Sequence, residues 1–241
     1  VTVHLSCLRR NEAIRVLTPE DEQPHEAGPA PGWQENCFLM GWDDSAGAGF
    51  YLHVERLPAA GHQEVKAIVV TNEQLVAARA EVDLGDTFAS VEIDAPYRAL
   101  RLSFSGVGRV RPGRTEFVDE SPGGDVPIGF AIELEATSAP VDWSALLSQM
   151  GVEGTERTHY EQGLRWTGRL HTDGRTIDAR GLAVRDHTWG ARQYDGFDYA
   201  WWTPTAFDDG SFVTGVSLKL GDAWVGGSFA ADGEDVRVFP V

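Results

Sequence analysis

The stretch Gly168-Arg169-Leu170-His171-Thr172-Asp173-Gly174-Arg175-Thr176-Ile177-Asp178-Ala179 decides the fold. Its central Asp-Gly favours the positive φ values of a type I′ or related tight turn, and residues 168–171 and 176–179 on either side read as strands, so the stretch is a β-hairpin. The signal recurs. Asp209-Gly210 separates residues 199–207 from 212–220, and Asp232-Gly233 separates 224–229 from 236–239. Three hairpins in succession make an antiparallel meander, the wiring of an up-and-down barrel or a sandwich.

Upstream, residues 35–42, 50–56, 64–70, 75–82, 88–93, 98–104 and 128–135 each show β-branched or aromatic enrichment, alternation, or both. Leu100, Leu102 and Phe104 share one face of their strand, which predicts a sheet with one wet side. Residues 18–33 hold Pro19, Pro24, Pro29 and Pro31 among acids and describe a loop or extended arm. A single helix is expected after Pro140: Asp142 can cap it, Trp143, Leu146, Leu147 and Met150 form its stripe, and Gly151 can end it. The expected fold is therefore all-β, with two antiparallel barrel or sandwich domains: an N-terminal one over residues 1–140, a short linking helix and linker over 141–158, and a C-terminal meander over 159–241. A barrel begun near residue 155 lacks strands at Val241, so the second domain is expected to be incomplete, its last strands coming from further chain or from elsewhere.

The chain has 241 residues, 42% hydrophobic and 24% charged, an ordinary globular composition able to bury a core. Its 37 acidic residues against 20 basic ones give a formal charge of -17 spread along the chain, which repels polyanions and anionic lipid. Nucleic acid is excluded as a partner on this ground. No segment approaches the ~20 apolar residues of a transmembrane helix. Cys7 and Cys37 form no CxxC motif; Cys37 lies in the apolar residues 36–40 as a small buried hydrophobe, and a disulfide to Cys7 stays open. No signal-peptide pattern opens the chain, although it begins at Val1 rather than Met, and the cytoplasm is the expected compartment.

The chemistry concentrates in Gly181-Leu182-Ala183-Val184-Arg185-Asp186-His187-Thr188-Trp189-Gly190. A guanidinium, a carboxylate, an imidazole and an indole in one strand must find partners if buried, so the run reads either as a site or as a polar network tying sheets together. By the period of two, Arg185, His187 and Trp189 share one face, and Val184, Asp186 and Thr188 the other. His187 and Trp189 are expected to face a cavity, with Asp186 fixing backbone or a neighbouring arginine, Arg192 or Arg165. Six of the eight tryptophans fall in residues 143–241, a density that suits an aromatic-lined pocket or an aromatic core. Tyr199, Trp201 and Thr203 project to one side of their strand and Trp202 to the other. The candidate catalytic residues are His187, Asp186 and Trp189, and the candidate substrate-binding residues are Tyr199, Trp201, Tyr160, Arg185 and Trp166. A metal set from His159, Glu161, His171 and His187 is the weaker alternative, since no His-x-His element is present. No serine-nucleophile elbow, P-loop or dinucleotide fingerprint occurs.

His159-Tyr160-Glu161-Gln162-Gly163 and residues 181–190, joined by the Asp173-Gly174 hairpin and followed by an aromatic strand, resemble the hydroxyneurosporene synthase (carotenoid hydratase) family. Its lipocalin-like relatives include bacterial proteins with an Arg-Asp-His-Ser/Thr-Trp-Gly signature and fungal Diels-Alderases. The resemblance implies two packed lipocalin-like β-barrels, an apolar pocket, no metal or organic cofactor, and hydration, isomerisation or cyclisation of a polyene or terpenoid substrate. It also implies that His187-Thr188-Trp189 and a nearby Asp handle proton and water, with Tyr194-Asp195 and Asp198-Tyr199 the nearest matches to the Asp-Tyr element. The expected function is thus a cofactor-free lyase or isomerase acting on a hydrophobic small molecule. Two alternatives stand beside it: a non-catalytic carrier of a hydrophobic ligand, and a carbohydrate-binding sandwich using Trp201 and Trp202.

Overall fold

A computed structural model describes residues 17–86, 88–111, 124–143, 157–191 and 199–240. Among them the strands run β1 (Trp33–Asp43), β2 (Ala48–Leu57), β3 (His62–Thr71), β4 (Leu75–Asp83), β5 (Ala89–Ala95), β6 (Ala99–Arg111), β7 (Asp125–Ala136), β8 (Val141–Asp142), β9 (Arg157–Thr172), β10 (Arg175–Ala191), β11 (Tyr199–Trp202), β12 (Thr205–Ala206), β13 (Phe212–Leu220), β14 (Ala223–Asp232) and β15 (Asp235–Pro240). Within the described residues the helical elements are two 3-10 turns, Pro19–Glu22 and Pro58–Ala60. The fold is all-β, as the alternation and turn signals require.

The hairpin at Asp173-Gly174 joins β9 to β10 with φ values of 47° and 72°, a tight turn that needs the left-handed region at both positions. The two long strands pair from Gly190↔Arg157 to Arg175↔Thr172. Every ladder among the described strands is antiparallel, and the pairings trace a circuit: β1 to β2, β3, β4, β6, β7, β9, β10 and back to β1. The ring is uneven. Between β4 and β6 only Leu75–Ala77 pair with Arg109–Arg111, and β5 pairs with Ala99–Phe104 of β6. A second sheet, β11-β13-β14-β15 with β12 on β13, packs on the outside of this ring.

One expectation is corrected here. Strands on both sides of residues 141–158 belong to the same first sheet, because β10 closes the ring by pairing with β1 while β9 pairs with β7. In chain order the described strands therefore pass from the first sheet to the second between β10 and β11 rather than near residue 150. Asp142 ends β8, opposite Tyr160 on β9. Trp143 is buried against Phe229, and residues 144–150 of the expected helix lie outside the described ones.

Among the described residues the ring interior carries a packed apolar core. Leu39, Phe50, Leu52, Val65, Leu102, Phe130, Leu134, Leu164 and Trp166 fill it. Gly41 makes room for the largest of these. A Cβ there would lie 2.6 Å from the Phe50 ring and 2.7 Å from Trp166 Nε1. The second sheet rests on the ring through Phe212, Phe229 and Ala231 against Val141, Trp143 and Val184, with Phe38 and Val216 at the margin. Cys37 is a free cysteine packed against the ring core, its thiol pushed up to about 12 by burial; Cys7 lies outside the described residues. No helix among the described residues is long and apolar enough to cross a membrane.

Candidate functional site

Strand β10 turns one side of its run into the ring and the other towards the second sheet, as its two-residue period requires. Ala183 belongs to the ring core, and Val184 to the cluster between the sheets. Arg185, His187 and Trp189 follow Ala183 inward; Asp186 and Thr188 follow Val184 outward.

On the outward side, register aligns side chains across β2, β1, β10 and β9. Glu55, Asn36, Thr188 and His159 form one row, His53, Phe38, Asp186 and Glu161 the next, and Tyr51, Met40, Val184 and Gly163 the third. The first two rows are polar apart from Phe38, and the third is apolar. His159 Nε2 is hydrogen-bonded to Asp186 Oδ2 and lies 3.0 Å from Glu161 Oε1. Thr188 Oγ1 donates to Asp186 Oδ1 at 3.0 Å. Glu161, fully buried, also accepts from Trp202 Nε1 at 2.8 Å and from Thr214 Oγ1, so the second sheet supplies two of its donors. Burial alone lowers the pKa of an imidazole, but the charge of Asp186 and the bonds to Asp186 and Glu161 outweigh it and raise His159 to about 9. It is an imidazolium at neutral pH. The Trp143 ring stacks on it, with centroids 5.8 Å apart and planes 15° from parallel. Next to this cluster Phe38 meets Trp202 and Tyr51 edge-on, each at 5.1 Å.

The inward side carries a separate network at the end of the ring, closed by the arm that precedes β1. Arg185 forms a bidentate pair with Glu22 of the Pro19–Glu22 turn, at 2.9 and 2.6 Å, and also donates to Gln162 Oε1. Tyr160 donates to Glu22 Oε1 at 3.1 Å. Tyr97, held at a φ of 58°, donates to the Thr18 carbonyl and fixes the start of the arm. Glu35 sits between His187 Nε2 at 3.0 Å and His25 Nδ1 at 2.7 Å, and pairs with Arg56 through its other oxygen. Burial opposes its charge, but the bonds from His187 and His25 and the nearby charges of His187 and Arg56 prevail and hold the carboxyl down at about 2. His25 lies flat on Trp189, centroids 4.0 Å apart.

The residues singled out in the sequence thus divide among different places. Asp186 faces the space between the sheets, whereas His187 and Trp189, each 8% exposed, join the inward network with Tyr160 and Arg185. Trp166 is core, pressed edge-on against Phe50. Tyr199 and Trp201 are 63% and 65% exposed on the second sheet, on the side away from Glu161, and share no enclosed cavity with His187. Asp186 takes His159 as a partner; Arg165 donates instead to the Asp208 carbonyl. Arg192, Tyr194, Asp195 and Asp198 lie outside the described residues. The weaker metal set also separates, since His171 pairs with Thr176 at the exposed end of β9. Glu22, His25 and Glu35 are not singled out by the sequence, and Trp202 is singled out only as a ring for carbohydrate. Glu35 carried a signal: it has the same parity as Cys37 and Leu39 and so points inward from an apolar strand.

The family profile described as a domain of unknown function, DUF7064, matches residues 18–238. The chain belongs to this family. Solved structures share its fold. NE1406 of Nitrosomonas europaea, provisionally assigned as an AttH, superposes with a TM-score of 0.58 and 16% identity over 98% of this chain and 75% of that one. Kievitone hydratase of Nectria haematococca gives a TM-score of 0.53 and 11% identity over 95% of this chain and 69% of that one. None of the curated proteins matches the sequence. The DUF7064 chain therefore has a lipocalin-like fold that a hydratase also uses.

Proposed function

We propose that the chain is a lyase or isomerase of hydrophobic small molecules of terpenoid or polyene character, working on the outer face of the ring beneath the second sheet. The observation that carries this reading is the Asp186–His159–Glu161 cluster, half-buried at Asp186 and His159 and buried at Glu161, bordered by Phe38, Tyr51 and Trp202. It sets a protonated imidazole and two carboxylates beside an aromatic wall, the combination that addition of water to a carbon–carbon double bond needs. The fold shared with kievitone hydratase supports the same class of chemistry. The packed ring interior weighs against a carrier that stores its ligand inside the barrel.

In the hydration direction, His159 delivers its proton to one alkene carbon and the charge forming on the other faces the rings of Trp202 and Phe38. Water bonds to that carbon, and Asp186 takes the proton the water gives up. The hydrogen bond between Asp186 and His159 then returns this proton to the imidazole and closes the cycle. Glu161, held by Trp202 and Thr214, keeps the imidazole in place and protonated.

The test is incubation with a panel of terpenoid and polyene alkenes and the corresponding alcohols in ¹⁸O-labelled or deuterated water, followed by mass spectrometry. The expected result is isotope incorporation by the native chain, reduced by roughly 10²- to 10⁴-fold in Asp186→Asn, the range for a positioned acid–base group. Ligands bound and released unchanged, with equal affinity in Asp186→Asn, would establish a carrier instead.

A further inference from the structure

The inward network holds a second group of donors that the proposed chemistry does not use. We propose that His25, Glu35 and His187 bind a divalent transition-metal cation of the Zn²⁺ class, which fastens the N-terminal arm to the end of the ring. The three side chains come from three segments: the arm, β1 and β10. Their nearest donor atoms, His25 Nδ1, Glu35 Oε1 and His187 Nε2, all lie within 4.8 Å of one another, with both imidazole nitrogens directed at the same carboxylate oxygen, at 2.7 and 3.0 Å. Donors around a tetrahedral Zn²⁺ with bonds of about 2.0–2.1 Å stand roughly 3.3 Å apart, so the two imidazole–carboxylate distances have to open by about 0.6 and 0.3 Å.

Two imidazoles and one carboxylate suit a borderline cation such as Zn²⁺ and leave a fourth position for water. Each donor is also oriented from behind, as metal ligands are. Arg56 takes Glu35 Oε2 and leaves Oε1 facing the imidazoles. The Tyr160 hydroxyl lies 3.3 Å from His187 Nδ1, which turns Nε2 to Glu35. Trp189 stacks on the His25 ring, and Asp21 Oδ1 faces its Nε2 at 3.9 Å.

Charge at this end of the ring also accommodates a cation. Asp21, Glu22 and Glu35 are buried there, against the guanidinium groups of Arg56 and Arg185. Three carboxylates against two guanidinium groups leave one negative charge when the imidazoles are neutral, and a divalent ion reverses it to one positive charge. The sequence gives no warning of such a site. His25 is separated from Glu35 by the proline-rich arm, and His187 comes from the far end of the chain.

The test begins with protein dialysed against a chelator and titrated with Zn²⁺ by calorimetry and with Co²⁺ by visible absorption, with the arm followed by limited proteolysis. The expected result is saturable binding of about one ion per chain, which slows cleavage within residues 23–32. His25→Ala and His25→Gln, at a partly exposed position, should weaken binding by more than about 10²-fold, beyond the 10–100-fold typical of losing an outer-shell partner. Circular dichroism on the same samples confirms that both variants fold. Asp186→Asn should leave binding unchanged. Absence of saturable Zn²⁺ and Co²⁺ binding would overturn the proposal. So would binding that survives His25→Ala, with loss in Asp186→Asn placing the ion between the sheets; so would an ion that leaves arm cleavage unaltered.

Discussion

Asp186 and His187 are neighbours in sequence and point to opposite sides of β10: Asp186 bonds to His159 between the two sheets, and His187 lies 3.0 Å from Glu35 inside the ring. The peptide between them separates the cluster proposed for chemistry from the network that holds the arm. Asp186→Asn should cut turnover by roughly 10²- to 10⁴-fold while leaving the melting temperature within a few degrees of the native value. Trp189→Ala, on the His187 side, should cost about 3–5 kcal/mol of stability, with turnover per folded molecule within roughly threefold of native. Turnover and thermal melts on the two variants check the division; equal losses of activity per folded molecule would contradict it.

The arm is anchored by a buried ion pair, and breaking it from one side leaves a bare charge. Glu22→Ala strands the Arg185 guanidinium, whose other described acceptor is Gln162, and should destabilise the fold by about 3–5 kcal/mol in urea titration. Adding Arg185→Met should recover part of that loss, because the unpaired charge is removed. A double variant no more stable than the single one would show that the pair is not the source of the effect.

Gly41 tests the packing inside the ring. In Gly41→Ala the new methyl group meets the Phe50 ring and the Trp166 indole at 2.6 and 2.7 Å, both held in the core. Overpacking of this kind costs typically about 1–3 kcal/mol, and denaturation of this variant should fall in that range. A neutral result would mean that the space beside Trp166 is looser than the contacts show.

His159 makes stability depend on pH in one direction. Its pKa rises from the ordinary 6.5 to about 9 on folding, because Asp186 on β10 and Glu161 on β9 face it. The folded state therefore binds this proton more tightly than the unfolded one. The resulting stability is fully present below pH 6.5 and is lost as pH rises through about 9. Melting temperature in the native chain should fall across that window, and the fall should flatten in His159→Gln. A native chain whose melting temperature is level from pH 6.5 to 9 would remove the cluster's claim to a stored proton.

What the sequence determined by itself was local. Alternation at Leu100, Leu102 and Phe104 fixes an inward face, and the Asp173-Gly174 pair fixes a turn, because side-chain direction and φ are set within a few residues. The same period separated Asp186 from His187 before any contact was visible. Tertiary structure alone decided the partners. That β10 returns to pair with β1 is a contact across most of the chain, and it moved the break between sheets past Ala191. Glu22 and His25 lie in a proline-rich arm with no period to place them, and they acquire partners only when the ring end closes over Arg185 and Glu35. Nothing near Glu161 in the sequence announces Trp202 and Thr214, whose bonds to it exist because the second sheet packs on the ring. Short-range geometry sets which way a side chain points; which group it meets depends on loop closures that no local pattern encodes.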